Sequence, residues 1–221
     1  MIDVRGLHKY MELDQINSIS LSTGDIQVLV LSSKYPGIYL RSCDQSSFTA
    51  TMMHGDALAL TQRIPFWKSK FRKGRPQLPW MWANPLLVIA LQEQSALCEL
   101  NIQVSSGSAR IADIDVQKLG CKVFAGSLRI QYSTCEFATF SVTNSSVVSK
   151  SLKVKEECSV SASSSRIVLT DSFQPENGYQ IRSNNGSLRL GSQRLSGTVV
   201  EERPGTPLYV VESNNSRVEI L

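Results

Sequence analysis

The residues best suited to binding chemistry lie in segment 63–85, where cations and aromatic side chains alternate. The segment holds all three tryptophans of the chain, Trp67, Trp80 and Trp82. It also holds six cations and no acid: Arg63, Lys68, Lys70, Arg72, Lys73 and Arg75. Tryptophan prefers the headgroup level of a membrane and cations meet anionic lipid, so this mixture suits a membrane surface. It also suits an anionic polymer, on which aromatic rings stack while cations contact the charges, although the membrane surface is favoured over nucleic acid.

The positive charge of segment 63–85 is local. The whole chain has a formal net charge of +4, so the residues outside this segment are together slightly acidic. One basic segment is a small electrostatic footprint for duplex binding, and we expect no strong nucleic-acid signal. A cap packed over one end of the fold and a disordered loop are the two alternatives to a binding site. The candidate binding loop consists of Trp67, Lys68, Lys70, Arg72, Lys73, Arg75, Trp80 and Trp82.

Asp113 and Asp115 come closest to a catalytic pattern. Two carboxylates on one strand face can hold calcium or perform acid–base catalysis, as a polysaccharide-active β-helix enzyme would require. Apolar residues occupy the alternate positions, so a solvated outer strand face is the simpler interpretation. His8 and His54 are far apart in sequence, and His54 suits a strand corner. We therefore expect a non-enzymatic protein with no catalytic, cofactor-binding or metal-binding residues, and keep the polysaccharide-active enzyme as an alternative.

The cysteines do not indicate a disulfide framework or a zinc site. There are five of them, an odd number, and no two form a C-x-x-C pair. They are Cys43, Cys98, Cys121, Cys135 and Cys158. Cys121 and Cys158 fall at inward positions of the strand pattern described next, so we interpret them as small buried hydrophobic residues.

A pattern with a nearly constant period determines the elements that carry these side chains. Its anchors are small turn residues: Gly107, Gly126, Ser145, Ser165, Gly186 and Ser216. Successive anchors are spaced by about 20 residues, except that the last gap is about half as long again. A separate copy stands at Gly24. Such a period is typical of stacked architectures in which each unit contacts its neighbours.

Apolar residues alternate on both sides of each anchor. Leu128 and Ile130 follow Gly126, for example, and Leu119 and Cys121 precede it. Period-two alternation predicts a strand with one buried face, so each unit is strand, tight turn, strand. The outward positions carry many serines and cations, which suit a solvated face: Arg110, Lys122, Arg129, Arg166, Arg182 and Arg189.

Stacking of these units predicts an all-β fold, a parallel β-solenoid or β-roll with rungs of about 20 residues. An antiparallel β-sandwich is the alternative, because hairpins also read as strand, turn, strand. One inward column is predicted to run in the order Leu100, Leu119, Ala138, Cys158, Tyr179, Tyr209.

The strand corners resemble those of a bacterial family known as the putative adhesins, which carry repeated SG-x-[LI]-x-[IV] corners at a similar spacing. The resemblance rests on corners such as 22–28 and 105–111, and covers 24–28 and roughly 85–221. It implies a right-handed β-solenoid-like fold and a binding or scaffolding role of unknown molecular function. It supplies no catalytic residue.

The chain divides into N-terminal strands (1–62), the basic insertion (63–85) and the array (86–221), with the first and last expected to form one continuous domain. No run of 18 apolar residues occurs, and the first residues lack the apolar core of a signal peptide. We expect a cytoplasmic location by default, with the cell surface or a peripheral membrane position as alternatives. The last strand, Arg217–Leu221, predicts an open end and hence end-to-end self-association, unless segment 195–207 covers that end.

Overall fold

The computed structural model describes residues 4–13, 16–53, 56–63, 85–93 and 96–221, which form an all-β structure. Apart from strands, these residues contain two short 3-10 turns, Val4–Gly6 and Gln45–Ser47. The strands are β1 His8–Met11, β2 Ser18–Thr23, β3 Gln27–Ser33, β4 Gly37–Arg41, β5 Phe48–Met53, β6 Ala57–Gln62, β7 Leu86–Gln92, β8 Ala96–Val104, β9 Ser108–Ala112, β10 Asp115–Phe124, β11 Ser127–Thr143, β12 Ser146–Ser163, β13 Arg166–Thr170, β14 Gly178–Leu190, β15 Gln193–Arg203, β16 Leu208–Asn214 and β17 Arg217–Ile220. In the described part of the chain, no helix has the length and apolar character needed to cross a membrane.

The strands form two stacks of parallel, in-register neighbours. Stack A runs in the order β6, β2, β8, β10, the second half of β11, the second half of β12, β16 and the first half of β14. Stack B runs β7, β3, β9, the first halves of β11 and β12, then β13, β17 and the second half of β14. The chain alternates between the stacks, and the A strands from β2 and β8 onward are followed by B strands across tight corners, whereas segment 63–85 lies between β6 and β7.

The core lies between the two stacks. Burial alternates along the strands as the sequence predicts, for example in β10, where Val116, Leu119, Cys121 and Val123 are buried. The inward side chains of both stacks belong to one hydrophobic cluster. Burial of this apolar surface is the main force that holds the stacks together, because a single strand pair cannot cover its own apolar face.

Parallel pairing dominates between the described strands. Leu119 pairs with Leu100 on one side and Ala138 on the other, which are the equivalent positions of the preceding and following units. Strands β12, β16, β14, β17 and β13 even close into a ring of parallel pairs, because β12 and β14 are long enough to have a different partner over each half. Antiparallel pairs are those of β4 with β1 and β7, β5 with β6, and β14 with β15. This pattern does not fit the antiparallel β-sandwich alternative.

The predicted order of the inward column is wrong at its C-terminal end. Cys158 pairs with Tyr209, and Tyr209 pairs with Tyr179, so the last two members are exchanged. The reason is that β15 occupies the longest gap between anchors and folds back antiparallel on one edge of β14. β16 and β17 therefore pair with the other edge of β14.

The exchanged order of these strands also contradicts the prediction that the last strand forms an open end. The last strand is internal, because β17 pairs with β13 on one side and with β14 on the other. The edge at this end belongs to β15, which carries Arg194, Glu201, Glu202 and Arg203. Charged side chains on an edge strand disfavour pairing with a second sheet. Self-association stays a prediction, and β15 is the strand that would mediate it.

The anchors lie at stacked corners, and their chemistry explains why they are glycine or serine. Ser145 accepts a hydrogen bond from the backbone N–H of Gly126 at 3.1 Å, and Ser165 accepts one from Ser145 at 3.3 Å. Ser216 continues the ladder to Ser165 at 3.1 Å. A Cβ atom on Gly126 would lie 2.7 Å from the carbonyl oxygen of Gly107, which is too close. The residues just before these anchors have positive φ: Ala125, Asn144, Ser164, Asn185 and Asn215.

The N-terminal strands share the sheet with the array. β2 pairs with β8 and β3 pairs with β9, so no break in hydrogen bonding separates them. A second hydrophobic cluster covers the outer side of β3 and β7, where Val4 and Tyr39 pack over Val88. The division at 62 and 85 stays a prediction, because most of segment 63–85 lies outside the described residues.

Candidate functional site

The candidate site is a groove of about 470 Å³ on the outer surface of stack A. Its floor is a row of successive strand partners, Ser20 on β2, Asn101 on β8, Gly120 on β10 and Thr139 on β11. Neighbouring strands are about 4.8 Å apart, so this row extends for about 14 Å across the strands. The groove therefore runs along the stacking direction and not along any one strand.

Gly120 lies in the middle of the groove floor. Its partners Asn101 and Thr139 carry outward side chains and Gly120 has none, which leaves room for the side chain of Asn101. The Asn101 side chain leans over the gap: a Cβ atom on Gly120 would lie 2.1 Å from Asn101 Oδ1. Asn101 Nδ2 also donates to Glu99 Oε1 at 2.9 Å, which fixes the amide orientation. A glycine inside a strand commonly marks such a close approach.

The walls of the groove combine polar, charged and aromatic side chains. Glu99, Lys118 and Phe137 are successive partners on one side, and Gln103, Lys122 and Ser141 are successive partners on the other. Phe137 is 42% exposed, so much of its ring is open to a ligand. Amides and hydroxyls both donate and accept hydrogen bonds, and Lys118, Lys122 and Glu99 add two positive charges and one negative charge. A pocket with a few convergent polar groups beside an apolar surface is typical of ligand binding.

The groove lacks the residues that hydrolysis of a glycosidic bond normally uses. Glu99 is the single carboxylate among its described lining residues, whereas such hydrolysis normally uses a pair. The Cys121 thiol below the floor is buried, and burial raises its pKa, so it stays protonated and inert. In the described ranges, no three His, Cys, Asp or Glu side chains are grouped as metal ligands.

The candidate binding loop predicted from sequence lies outside the described residues. This applies to Trp67, Lys68, Lys70, Arg72, Lys73, Arg75, Trp80 and Trp82, and to His54 as well. The assignment of a binding role to them stays a prediction. His8 lies in β1, where its ring contacts the side-chain amide of Gln45.

The prediction that Asp113 and Asp115 share one strand face is wrong. β9 ends at Ala112 and β10 begins at Asp115, so the two aspartates lie on either side of a corner. Asp113 has a φ of 56°, in the left-handed region, where aspartate is tolerated better than most residues. Its backbone N–H donates to the carbonyl of Gln131 on the next strand. Asp113 therefore follows the end of β9, and Asp115 is the first residue of β10.

The interpretation of the inward cysteines is confirmed. Cys121, Cys135 and Cys158 are buried and free. Burial raises the pKa of Cys135 to about 12, and raises the pKa of the other two as well. Cys43 is half-buried near the carbonyl of Leu86, and desolvation raises its pKa to about 11. Cys98 is exposed.

Sequence reasoning did not find the groove. The signal that could have indicated it is Gly120, a glycine in an outward strand position where the neighbouring units have Asn101 and Thr139. Recognising it requires the strand register, because a glycine inside a strand is informative only when its neighbours across the sheet are known.

Comparisons with known proteins give one likeness of low similarity. No known protein family and no curated protein matches the chain. Among solved structures, the chain is similar to a "putative cell adhesion protein" from Clostridium sporogenes ATCC 15579, at 11% identity and a TM-score of 0.43. The alignment covers 95% of this chain and 92% of that protein.

Proposed function

We propose that the protein is a non-enzymatic binding protein that holds a linear, hydroxyl-rich ligand such as a neutral glycan in the groove at Gly120. The observation that carries the proposal is the groove itself, which crosses four neighbouring strands and offers an exposed ring beside amides and hydroxyls.

We also propose that stacks A and B are the two sides of a right-handed β-solenoid with about 20 residues per turn. The parallel pairing of equivalent positions in successive units supports that architecture.

The lining residues suit sugars. A sugar hydroxyl both donates and accepts, and Asn101, Gln103 and Thr139 can each do both. The apolar face of a sugar ring can pack on the exposed Phe137 ring, as aromatic side chains commonly provide large contact areas in binding sites. A groove open along the stacking direction accepts a chain of residues, which would fit an adhesin-like or scaffolding role.

The proposal is tested by filling the groove. Gly120→Thr places a branched side chain on the floor, and threonine suits an exposed strand position. With a panel of neutral oligosaccharides in calorimetry, the best ligand should lose at least tenfold in affinity on this change. Phe137→Ala should weaken the same ligand. Ser159→Thr is the matched control, because Ser159 follows Thr139 in the same outward row beyond the groove.

Unchanged affinity of the Gly120→Thr protein would contradict the groove as the site. A polysaccharide-active enzyme remains the alternative to pure binding, and its signature is turnover of the bound glycan. Product release that is abolished by Glu99→Gln or Asp115→Asn would overturn the non-enzymatic proposal.

A second proposal concerns the candidate binding loop, which the sequence favours for a membrane surface or an anionic polymer. Its cations predict salt-sensitive binding to anionic vesicles or polyanions. Changing Lys68, Lys70, Arg72 and Lys73 to serine should abolish that binding in sedimentation assays. Binding that neither weakens with salt nor responds to these changes would exclude this role.

A further inference from the structure

The outer surface of stack B carries one cation on each of seven consecutive strands. In stacking order β9, β11, β12, β13, β17, β14 and β15, they are Arg110, Arg129, Lys150, Arg166, Arg217, Arg189 and Arg194. We call this set the cation band. Six strand spacings of about 4.8 Å give it a length of about 29 Å. The cations occupy three adjacent outward rows, so they form a band and not a single file.

The cation band has little internal neutralisation. Among the described stack B segments of these strands, Glu219 is the single outward acid, and it pairs with Arg217 at 2.5 Å. Glu202 of β15 lies farther along that strand, beside Gln180 of stack A. Arg129, Arg166 and Arg194 are exposed, and within the described part of the chain they have no ion-pair partner. Clustered cations without counter-charges repel one another, and a matching polyanion relieves that repulsion.

A groove of about 330 Å³ opens at one end of the band. Gln27, Ser108 and Ser127 are successive partners along it, and Arg110 and Arg129 stand in the next row. The side chain of Arg110 is held by a hydrogen bond to Gln131. The arginines thus supply planar, multidentate donors for a carboxylate or sulfate, and the small hydroxyls leave room for a backbone that carries such groups.

We propose that the cation band binds linear polysaccharides that carry carboxylate or sulfate groups. The series of one cation per strand along the stacking direction matches a polymer that carries charge at regular intervals. The band is also hydroxyl-rich, since Ser108, Ser127 and Ser146 follow one another in one row.

Other anionic partners fit the band less well. Single-stranded nucleic acid is normally held by successive aromatic side chains as well as by charge. Beside the band, Tyr132 lies directly after the stack B half of β11, with Lys150 Nζ 5.5 Å from its ring centroid, and one ring does not make a series of stacking sites. Duplex DNA admits a helix or a two-stranded ribbon into its major groove, whereas this is a broad sheet. A membrane surface requires a broad apolar contact, whereas the exposed hydrophobic residues Val148 and Tyr132 lie among cations and serines.

The test measures binding of polygalacturonate and dextran sulfate at rising salt. The triple variant Arg129→Gln, Arg166→Gln, Arg194→Gln should lose at least tenfold in affinity. The slope of log affinity against log salt should fall in magnitude by about 2 for the loss of three contacts. The matched control removes three exposed cations that lie outside both the cation band and the groove, Lys34→Gln, Lys153→Gln, Arg182→Gln, and should keep affinity within about twofold.

Three further measurements make the result decisive. The charge-preserving triple Arg129→Lys, Arg166→Lys, Arg194→Lys should keep most of the binding, which separates charge loss from misfolding. Gly120→Thr should leave polyanion binding unchanged, so failure of the neutral-glycan proposal would not affect this one. Equal losses in the two Gln triples, or tighter binding to a single-stranded oligonucleotide or to phosphatidylglycerol vesicles, would overturn the proposal.

Discussion

Stacks A and B share one inner construction but differ on their outer surfaces. The three outward rows of stack A that contain Glu99, Asn101 and Gln103 carry, from β2 to β15, four acids and three cations. The acids are Glu99, Glu157, Glu202 and Glu212, and the cations are Lys118, Lys122 and Arg182. The corresponding rows of stack B from β9 to β15 carry seven cations and one acid. Outward positions contribute little to folding, so the fold does not determine which charges they carry. The two binding proposals above start from this difference.

The inner sides of the two stacks differ as well, and this difference gives the largest expected change in the free energy of unfolding. Cys121, Cys135 and Cys158 all belong to strands of stack A, and burial raises the pKa of each above its ordinary value of 9.0. A thiol with a raised pKa in the fold contributes stability below pH 9, which is lost as the unfolded chain releases protons at higher pH. Between pH 9 and 10 each thiol should cost about 1 kcal/mol, so the three together give about 3 kcal/mol.

Urea unfolding between pH 9 and 10 measures this decline. Cys98→Ala, at an exposed position, should keep it, whereas replacing the three buried cysteines with alanine should remove most of it. A decline of less than about 1 kcal/mol across that interval would show that the thiols of stack A are not buried as described.

The corner ladder is the series of hydrogen bonds that links Ser145, Ser165 and Ser216 at the stacked corners. Its contribution to stability can be tested at one serine. Ser165 is buried, donates to the carbonyl of Ser163 at 2.7 Å and accepts from the N–H of Ser145. Ser165→Ala leaves that N–H without its partner and should reduce the free energy of unfolding by about 1–3 kcal/mol. Thermal or urea unfolding measures the loss, and the outward Ser159→Ala serves as the control with a change near zero. Equal effects at both positions would argue against the ladder.

The charge difference between the stacks can be broken directly. Glu99→Gln, Glu157→Gln and Glu212→Gln remove three of these four acids from stack A and leave its three cations, which brings the charge of its surface closer to that of stack B. The variant should gain polyanion affinity, by about tenfold or less, because neighbouring charges set the local potential. Polygalacturonate titrations at low salt detect the gain. If affinity stays at the level of the unmodified protein, the geometry of the arginines matters more than the local charge.

The smallest expected effect is the stability of the groove variant. Glycine inside a strand costs roughly 0.5–1 kcal/mol, so Gly120→Thr should stabilise the protein by up to about that amount if Asn101 rotates away. Chemical denaturation measures it, with Ser159→Thr as the reference. A loss of more than about 2 kcal/mol, which is typical of overpacking, would show that Asn101 cannot yield. The groove would then need to be tested with Phe137→Ala instead.

Much of the fold could be predicted from sequence, because alternation and small corner residues are local signals. Leu100, Leu119, Ala138 and Cys158 stack in the predicted order. The exchange of Tyr179 and Tyr209 could not be predicted, since similar units do not specify which of them pair when a hairpin intervenes. The arginines were assigned to a solvated face, but their distribution between two stacks appears only when each strand is placed. The groove likewise depends on the partners of Gly120.

The internal position of β16 and β17 has a consequence for how the protein is made. During synthesis β14 and β15 emerge before β16 and β17, yet the later pair lies between them and the preceding strands. The growing chain therefore cannot add its units in simple succession. The β14–β15 hairpin can complete its pairing only after β16 and β17 have been synthesised. A nascent chain that ends before residue 208 would therefore expose two unpaired strand edges, one on the preceding strands and one on β14.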